Sequence, residues 1–143
     1  MDDLRADRQE RAEYAVEVAK QIWTAELDYS LESVKELNAM LGALHDNAEQ
    51  MGLDRIATMN LGWTFGSYLG EVMLRHEFGE LGFEWAEEED GEPILVCRPK
   101  DDSQGFRLQG IRPLTKCVKR LEYGGEDDLV QYYIETLSMA QGA

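Results

Sequence analysis

The chain has 143 residues, with 29 acids against 14 bases and a formal net charge of −15. That length suits one domain with its own core, and that charge argues against nucleic-acid binding because phosphates repel such a surface. No apolar run approaches the roughly 18 residues of a membrane span. The acidic start, Met1-Asp2-Asp3-Leu4-Arg5, does not read as a secretory signal, so the expectation is a cytoplasmic protein that binds neither membrane nor nucleic acid.

Residues 6–27 read as a first helix, with Ala15, Val18, Ile22 and Ala25 recurring at spacings of three and four. Residues 1–27 are expected to form a helical arm packed on an α+β domain of residues 28–143. Asp28-Tyr29-Ser30 breaks the pattern and offers Ser30 as an N-cap. A second helix carries Leu31, Val34, Leu37, Leu41 and Leu44 on one stripe, and His45-Asp46-Asn47 with Gly52 marks a connection. Helices joined this briefly usually pack antiparallel.

The stretch 61–75, LGWTFGSYLGEVMLR, then scans as a helix despite three glycines. Each glycine costs a helix about 1 kcal/mol relative to alanine. At about 100° per residue, Gly62, Gly66 and Gly70 join Leu61, Phe65, Leu69, Val72 and Met73 on an apolar arc. Asn60, Thr64, Ser67, Glu71 and Arg75 fall on the opposite, polar arc, expected to be wet. The glycines should therefore let another element approach the core face closely; a ligand groove is the alternative.

Beyond Gly82 the period becomes strand-like. Phe83 to Glu87 alternates, Asp90-Gly91 signals a turn, and Pro93 to Arg98 supplies the return strand. Phe106-Arg107-Leu108-Gln109 reads as a third strand. Pro113 opens a helix with Leu114, Cys117, Val118 and Leu121 on its apolar side. After Gly124-Gly125, Asp127 and Asp128 favour the start of a last helix carrying Leu129, Val130, Tyr133, Ile134 and Leu137. The expected fold is α+β: N-terminal helices, a three-stranded antiparallel meander, and two C-terminal helices.

Chemical motifs are sparse. His76-Glu77 lacks the second histidine of a zinc-protease helix, and Gly79 interrupts the spacing. His45 and His76 are the only histidines and read as helix-end residues, while Cys97 and Cys117 read as two buried thiols. No motif calls for a metal or a cofactor. Glu71 is the least implausible acid or base, with Thr64 and Ser67 as polar neighbours, but Arg75 four residues on offers it a surface ion pair.

Charge is the stronger signal. Residues 71–92 hold nine acids and one arginine, whereas residues 98–120 hold seven bases and two acids. Either neighbouring strands exchange charge across the sheet, or Arg112, Lys116, Lys119 and Arg120 form a basic patch for an anionic partner. Glu87, Glu88, Glu89 and Asp90 at the turn are expected to form a negative surface that faces a partner, because alternate side chains cannot all reach the basic elements.

Gly66-Ser67-Tyr68-Leu69-Gly70-Glu71 resembles the LGxYLGE helix of a family of small bacterial domains of unknown function. In that pattern a tryptophan-bearing strand follows, matched by Trp85, then a hairpin matched by Gly91-Glu92-Pro93. Later segments match at Pro113 to Leu121 and Gly125 to Leu129, so the resemblance spans about residues 28–137. It implies an α+β bacterial domain and carries no catalytic residues. The functional expectation is a non-enzymatic binding or regulatory domain with a protein partner, such as an immunity-type inhibitor of a basic protein. A homodimer is compatible with the composition. The alternative is a small-molecule-binding or hydrolytic enzyme using Glu71; a deep pocket shared by Thr64, Ser67 and Glu71 would favour it.

Overall fold

Among the described residues, six α-helices and one antiparallel hairpin are arranged around a seventh, central helix. The computed structural model describes residues 2–97 and 110–142. In chain order the elements are α1 (Asp2–Trp23), α2 (Glu32–Asp46), the short α3 (Ala48–Met51), α4 (Arg55–Arg75), the short α5 (Glu77–Glu80), β1 (Phe83–Glu87), β2 (Pro93–Cys97), α6 (Pro113–Tyr123) and α7 (Leu129–Ala140). No helix among the described residues is long and apolar enough to cross a membrane.

The central helix is α4. The Asp54 carboxylate accepts the Ala57 amide at 2.8 Å and so caps its first turn. Its glycines face the core, as their spacing predicts. A Cβ on Gly66 would lie 2.8 Å from the Leu114 nitrogen and 2.9 Å from the Pro113 carbonyl oxygen. A Cβ on Gly62 would lie 2.9 Å from the Val118 Cα, and one on Gly70 would strike the Trp85 ring. Gly62 and Gly66 thus admit the backbone of α6, and Gly70 admits an indole. Leu114, Cys117, Val118 and Leu121 of α6 are all buried there. Burying each large one contributes about 1.5–3 kcal/mol, which offsets the glycine penalty.

The middle of the opposite arc of α4 is not wet, whereas Asn60 and Arg75 at its two ends are exposed as expected. Thr64, Ser67 and Glu71 are buried, because α1 lies across them. Ala12, Ala15 and Ala19 are fully buried and let α1 come close, while Arg8 donates to Ser67 Oγ at 2.7 Å and Arg11 to Thr64 Oγ1 at 3.3 Å. The inward stripe of α1 is therefore Arg8, Ala12, Ala15 and Ala19, and Ile22 points outward, 61% exposed. The helix also stops earlier than residue 27. Thr24 takes φ +52°, its amide bonding the Lys20 carbonyl at 3.1 Å.

Ser30 Oγ accepts the Ser33 amide at 3.1 Å and caps α2 as expected, with Asp28 holding the hydroxyl in turn. Val34, Leu37, Leu41 and Leu44 are buried, whereas Leu31 is exposed. The main neighbours of α2 are α6 and α7 rather than its sequence successor α4. Arg120 makes that joint, donating from Nε to Asn38 Oδ1 at 2.8 Å. Asn38 Oδ1 also accepts the Leu129 amide at 3.0 Å, and Asp128 caps α7 through the Gln131 amide at 2.9 Å. Leu129 and Tyr133 anchor α7 as predicted; Ile134 is exposed.

The hairpin pairs Phe83 with Cys97 and Glu87 with Pro93. Gly91 at φ +91° makes its turn, the left-handed conformation that glycine adopts without strain. The α+β class holds with a two-stranded sheet; a three-stranded meander is not shown. The third strand expected at residues 106–109 lies outside the described residues, and Ile111 makes an isolated bridge with Leu95.

Candidate functional site

The expected triple of Thr64, Ser67 and Glu71 is divided by the fold. Thr64 and Ser67 hydroxyls receive α1 arginines, and Ser67 also donates to the Trp63 carbonyl at 2.8 Å. Glu71 lies one turn further along, at the edge of α1's cover. Its Oε2 accepts the Trp85 indole N–H at 2.8 Å, and its Oε1 stands 3.8 Å from Arg75 Nε. The expected ion pair with Arg75 forms, but its carboxylate is buried and also held by a tryptophan, because the adjacent Gly70 lets the indole lie against the helix. The Arg75 guanidinium is stacked 3.6 Å above the Tyr29 ring.

The basic patch does not assemble either. Arg112 reaches back to the hairpin and binds Glu88 at 2.6 Å and Glu92 at 2.7 Å. Lys116 pairs with Asp127 at 2.9 Å, and Arg120 is buried against Asn38. Among the described residues only Lys119 of the four lacks a hydrogen bond or ion pair; it lines a 300 Å³ depression with Trp63 and Tyr123. The reason is local. The bridge between Leu95 and Ile111 sets Arg112 beside the hairpin, and α6 turns its basic side toward neighbours that carry acceptors.

The same geometry corrects the acidic turn. Glu88 is neutralised internally by Arg112, and Asp90 accepts the Glu92 amide at 3.0 Å. Glu92 also accepts the Thr115 hydroxyl. Glu87 and Glu89 remain exposed. Glu87 belongs to a different face from Glu88, and that face is the main cleft of the molecule.

This cleft, about 1180 Å³, runs between the first turns of α1, the end of α4, α5 and the outer side of β1. Its carboxylates are Asp3, Asp7, Glu71, Glu80, Glu84 and Glu87; its cationic side chains are Arg5 and Arg75. Trp85 and Phe83 supply apolar wall. Of these acids the sequence reading had singled out Glu71 and Glu87. The others, Asp3, Asp7, Glu80 and Glu84, are scattered from residue 3 to residue 84, and no local pattern links them. The helix-end histidines are where their positions predict: His45 Nδ1 lies 2.8 Å from the Leu121 carbonyl oxygen, and His76 Nε2 lies 2.8 Å from that of Tyr29. Cys117 is buried, whereas Cys97 is half-buried with its Sγ 3.3 Å from the Leu81 carbonyl oxygen. Among the described residues no three His, Cys, Asp or Glu side chains gather as a metal site would require.

Chemically the cleft can attract and orient positive charge. It pairs one fixed, buried carboxylate with a rim of exposed ones over a partly aromatic wall. Thr64 and Ser67 do not line it, so the nucleophile-plus-carboxylate arrangement considered for an enzyme is absent from this cleft. No protein-family model, no curated protein and no solved structure matches the chain.

Proposed function

We propose that this chain is a non-enzymatic binding module that receives a positively charged segment of a protein partner in the cleft between α1, α4, α5 and β1. One observation carries the reading: among the described residues, five carboxylate residues besides Glu84 line that cleft against two arginines, one of which is already stacked on Tyr29. The collapse of the expected basic patch supports it, since Arg112 and Lys116 pair with carboxylates within the fold and Arg120 is held by the neutral Asn38 side chain. An acidic cleft speeds encounter with a basic partner and fixes its orientation. An immunity-type inhibitor of a basic protein would work in this way.

The test uses a fluorescent peptide rich in lysine and arginine, with a glutamate-rich peptide of equal length as control. The basic peptide should bind, its on-rate should fall with added salt, and Glu80→Gln with Glu87→Gln should weaken it. Equal binding by wild type and the double variant would overturn the assignment to this cleft.

A further inference from the structure

Four observations converge on the way α1 is attached. The seam between α1 and α4 is built on Ala12, Ala15 and Ala19 and two arginine–hydroxyl bonds, and the larger apolar side chains of α1, Leu4, Val16, Val18 and Trp23, are only partly buried. Arg8 is buried with its Nε unpartnered and no carboxylate bonded to it. Burial first, and then the charge of Arg11, pull its pKa below the ordinary arginine value. The link to α2 leaves the helix through Thr24 at φ +52°, a conformation strained for a β-branched residue. Finally, the periodicity of residues 15–25 reads as one helix continuing past Trp23, with Ala25, Glu26 and Leu27 all good helix formers.

The sequence therefore favours a straight exit and the fold imposes a bend. Tyr29 fixes the far end of that bend. Its amide donates to the Tyr68 hydroxyl at 2.8 Å, its carbonyl bonds His76, and its ring lies under Arg75. The bend lies between Trp23 and Tyr29, and Leu27 within it is buried in the core. Short strained hinges beside a self-complementary seam are the conditions under which identical elements exchange between copies.

We propose that the polar face of α4 is an interaction surface for α1 of a second copy, so that the chain forms an α1-exchanged dimer. Straightening residues 24–26 while Leu27 stays in the core releases Thr24 from the left-handed region and carries α1 away from its own body. The Arg8–Ser67 and Arg11–Thr64 bonds then form between chains. The cleft becomes composite, because α1 contributes Asp3, Arg5 and Asp7 to its lining. Charge tunes the exchange. The α1 segment carries six acids and four bases and is nearly balanced, so the repulsion to overcome lies between the two acidic bodies. Salt screens that repulsion and favours the dimer.

The experiment uses the full-length chain, concentrated at high salt, warmed into its unfolding transition, cooled, and sized by chromatography with light scattering. Wild type should give monomer plus a dimer that survives dilution for hours, because reversion needs α1 to undock. Deleting Ala25 and Glu26 should shift nearly all of the chain to dimer. Thr24→Gly should lower the dimerisation constant by about a hundredfold, one left-handed penalty of about tenfold for each of the two chains. The Thr24→Gly arm decides alone if the shortened chain does not fold. A monomer in every chain, a dimer that dissociates at once on dilution, or a dimer fraction unmoved by Thr24→Gly would each overturn the exchange.

Discussion

The two faces of α4 are built on opposite principles. Toward α6 the helix removes its own side chains at Gly62, Gly66 and Gly70, and is met by Val118, Leu114 and Trp85. Toward α1 it keeps polar side chains at Thr64, Ser67 and Glu71, and the partner helix removes its bulk at Ala12, Ala15 and Ala19. Both devices bring helices close. The first places backbone and large apolar groups in contact, so its geometry tolerates almost no added atom. The second relies on two hydrogen bonds, from the buried Arg8 and the half-buried Arg11 to hydroxyls of α4. One face is a permanent joint and the other, in the proposed exchange, a reversible one.

The sharpest break of that comparison is Gly66→Ala. A methyl there meets the Leu114 nitrogen at 2.8 Å and the Pro113 carbonyl, both backbone, so α6 must shift as a whole. The expected loss is above about 3 kcal/mol, at the top of the overpacking range. A thermal melt within error of wild type would show that the glycine face is not a rigid joint.

Trp85→Phe comes next. It leaves Glu71 Oε2 without its donor while keeping most of the apolar wall. Losing a bond to a buried carboxylate should cost about 1.5–3 kcal/mol, measured by denaturant unfolding, and Glu71→Gln should recover part of it in the phenylalanine background.

Acid separates the joints by chemistry. The bonds from α1 to α4 join arginines to hydroxyls, whereas the α2–α7 joint depends on Asp128, whose pKa is held below the ordinary carboxylate value chiefly by the Gln131 amide. A depressed folded pKa contributes stability that is present above the unfolded value near 3.9 and lost as pH falls through the folded one. Hydrogen exchange at falling pH should therefore loosen the start of α7 before α1. Asp128→Ala should remove that order and cost about 1 kcal/mol at neutral pH.

The smallest effect is expected at Arg8→Met. Ser67 keeps its bond to the Trp63 carbonyl, and a buried cation without a carboxylate gives way to an apolar chain of similar reach. The change in stability should stay within about 1 kcal/mol in either direction. A loss of several kcal/mol would make the α1 seam a rigid joint after all.

Much of this was legible in the chain itself. Glycines four apart on an apolar arc, proline before a helix-spaced stripe, and Asp-Gly between alternating segments each express a local rule, and a closely packed glycine face, α6 and the hairpin follow from them, though not that α6 fills that face. The polar arc of α4 was misread because polarity alone does not say whether water or an arginine satisfies a hydroxyl. The basic cluster was misread for a related reason: proximity in sequence placed Arg112, Lys116 and Arg120 together, while the fold gave each a different acceptor. The cleft was illegible because its acids come from α1, α4, α5 and β1, and only tertiary packing brings them to one place.

The two thiols turn the permanent joint into something that can be timed. Cys117 lies fully buried on the face of α6 that meets α4, and burial pushes its thiol far above the ordinary value, so no reactive thiolate forms while the helices stay together. Cys97 is half-buried at the end of β2. An alkylating reagent should label Cys97 from the folded state and Cys117 only when α6 lifts away. The interval between the two modifications is a stopwatch for the opening of the glycine seam, built from residues the protein already carries.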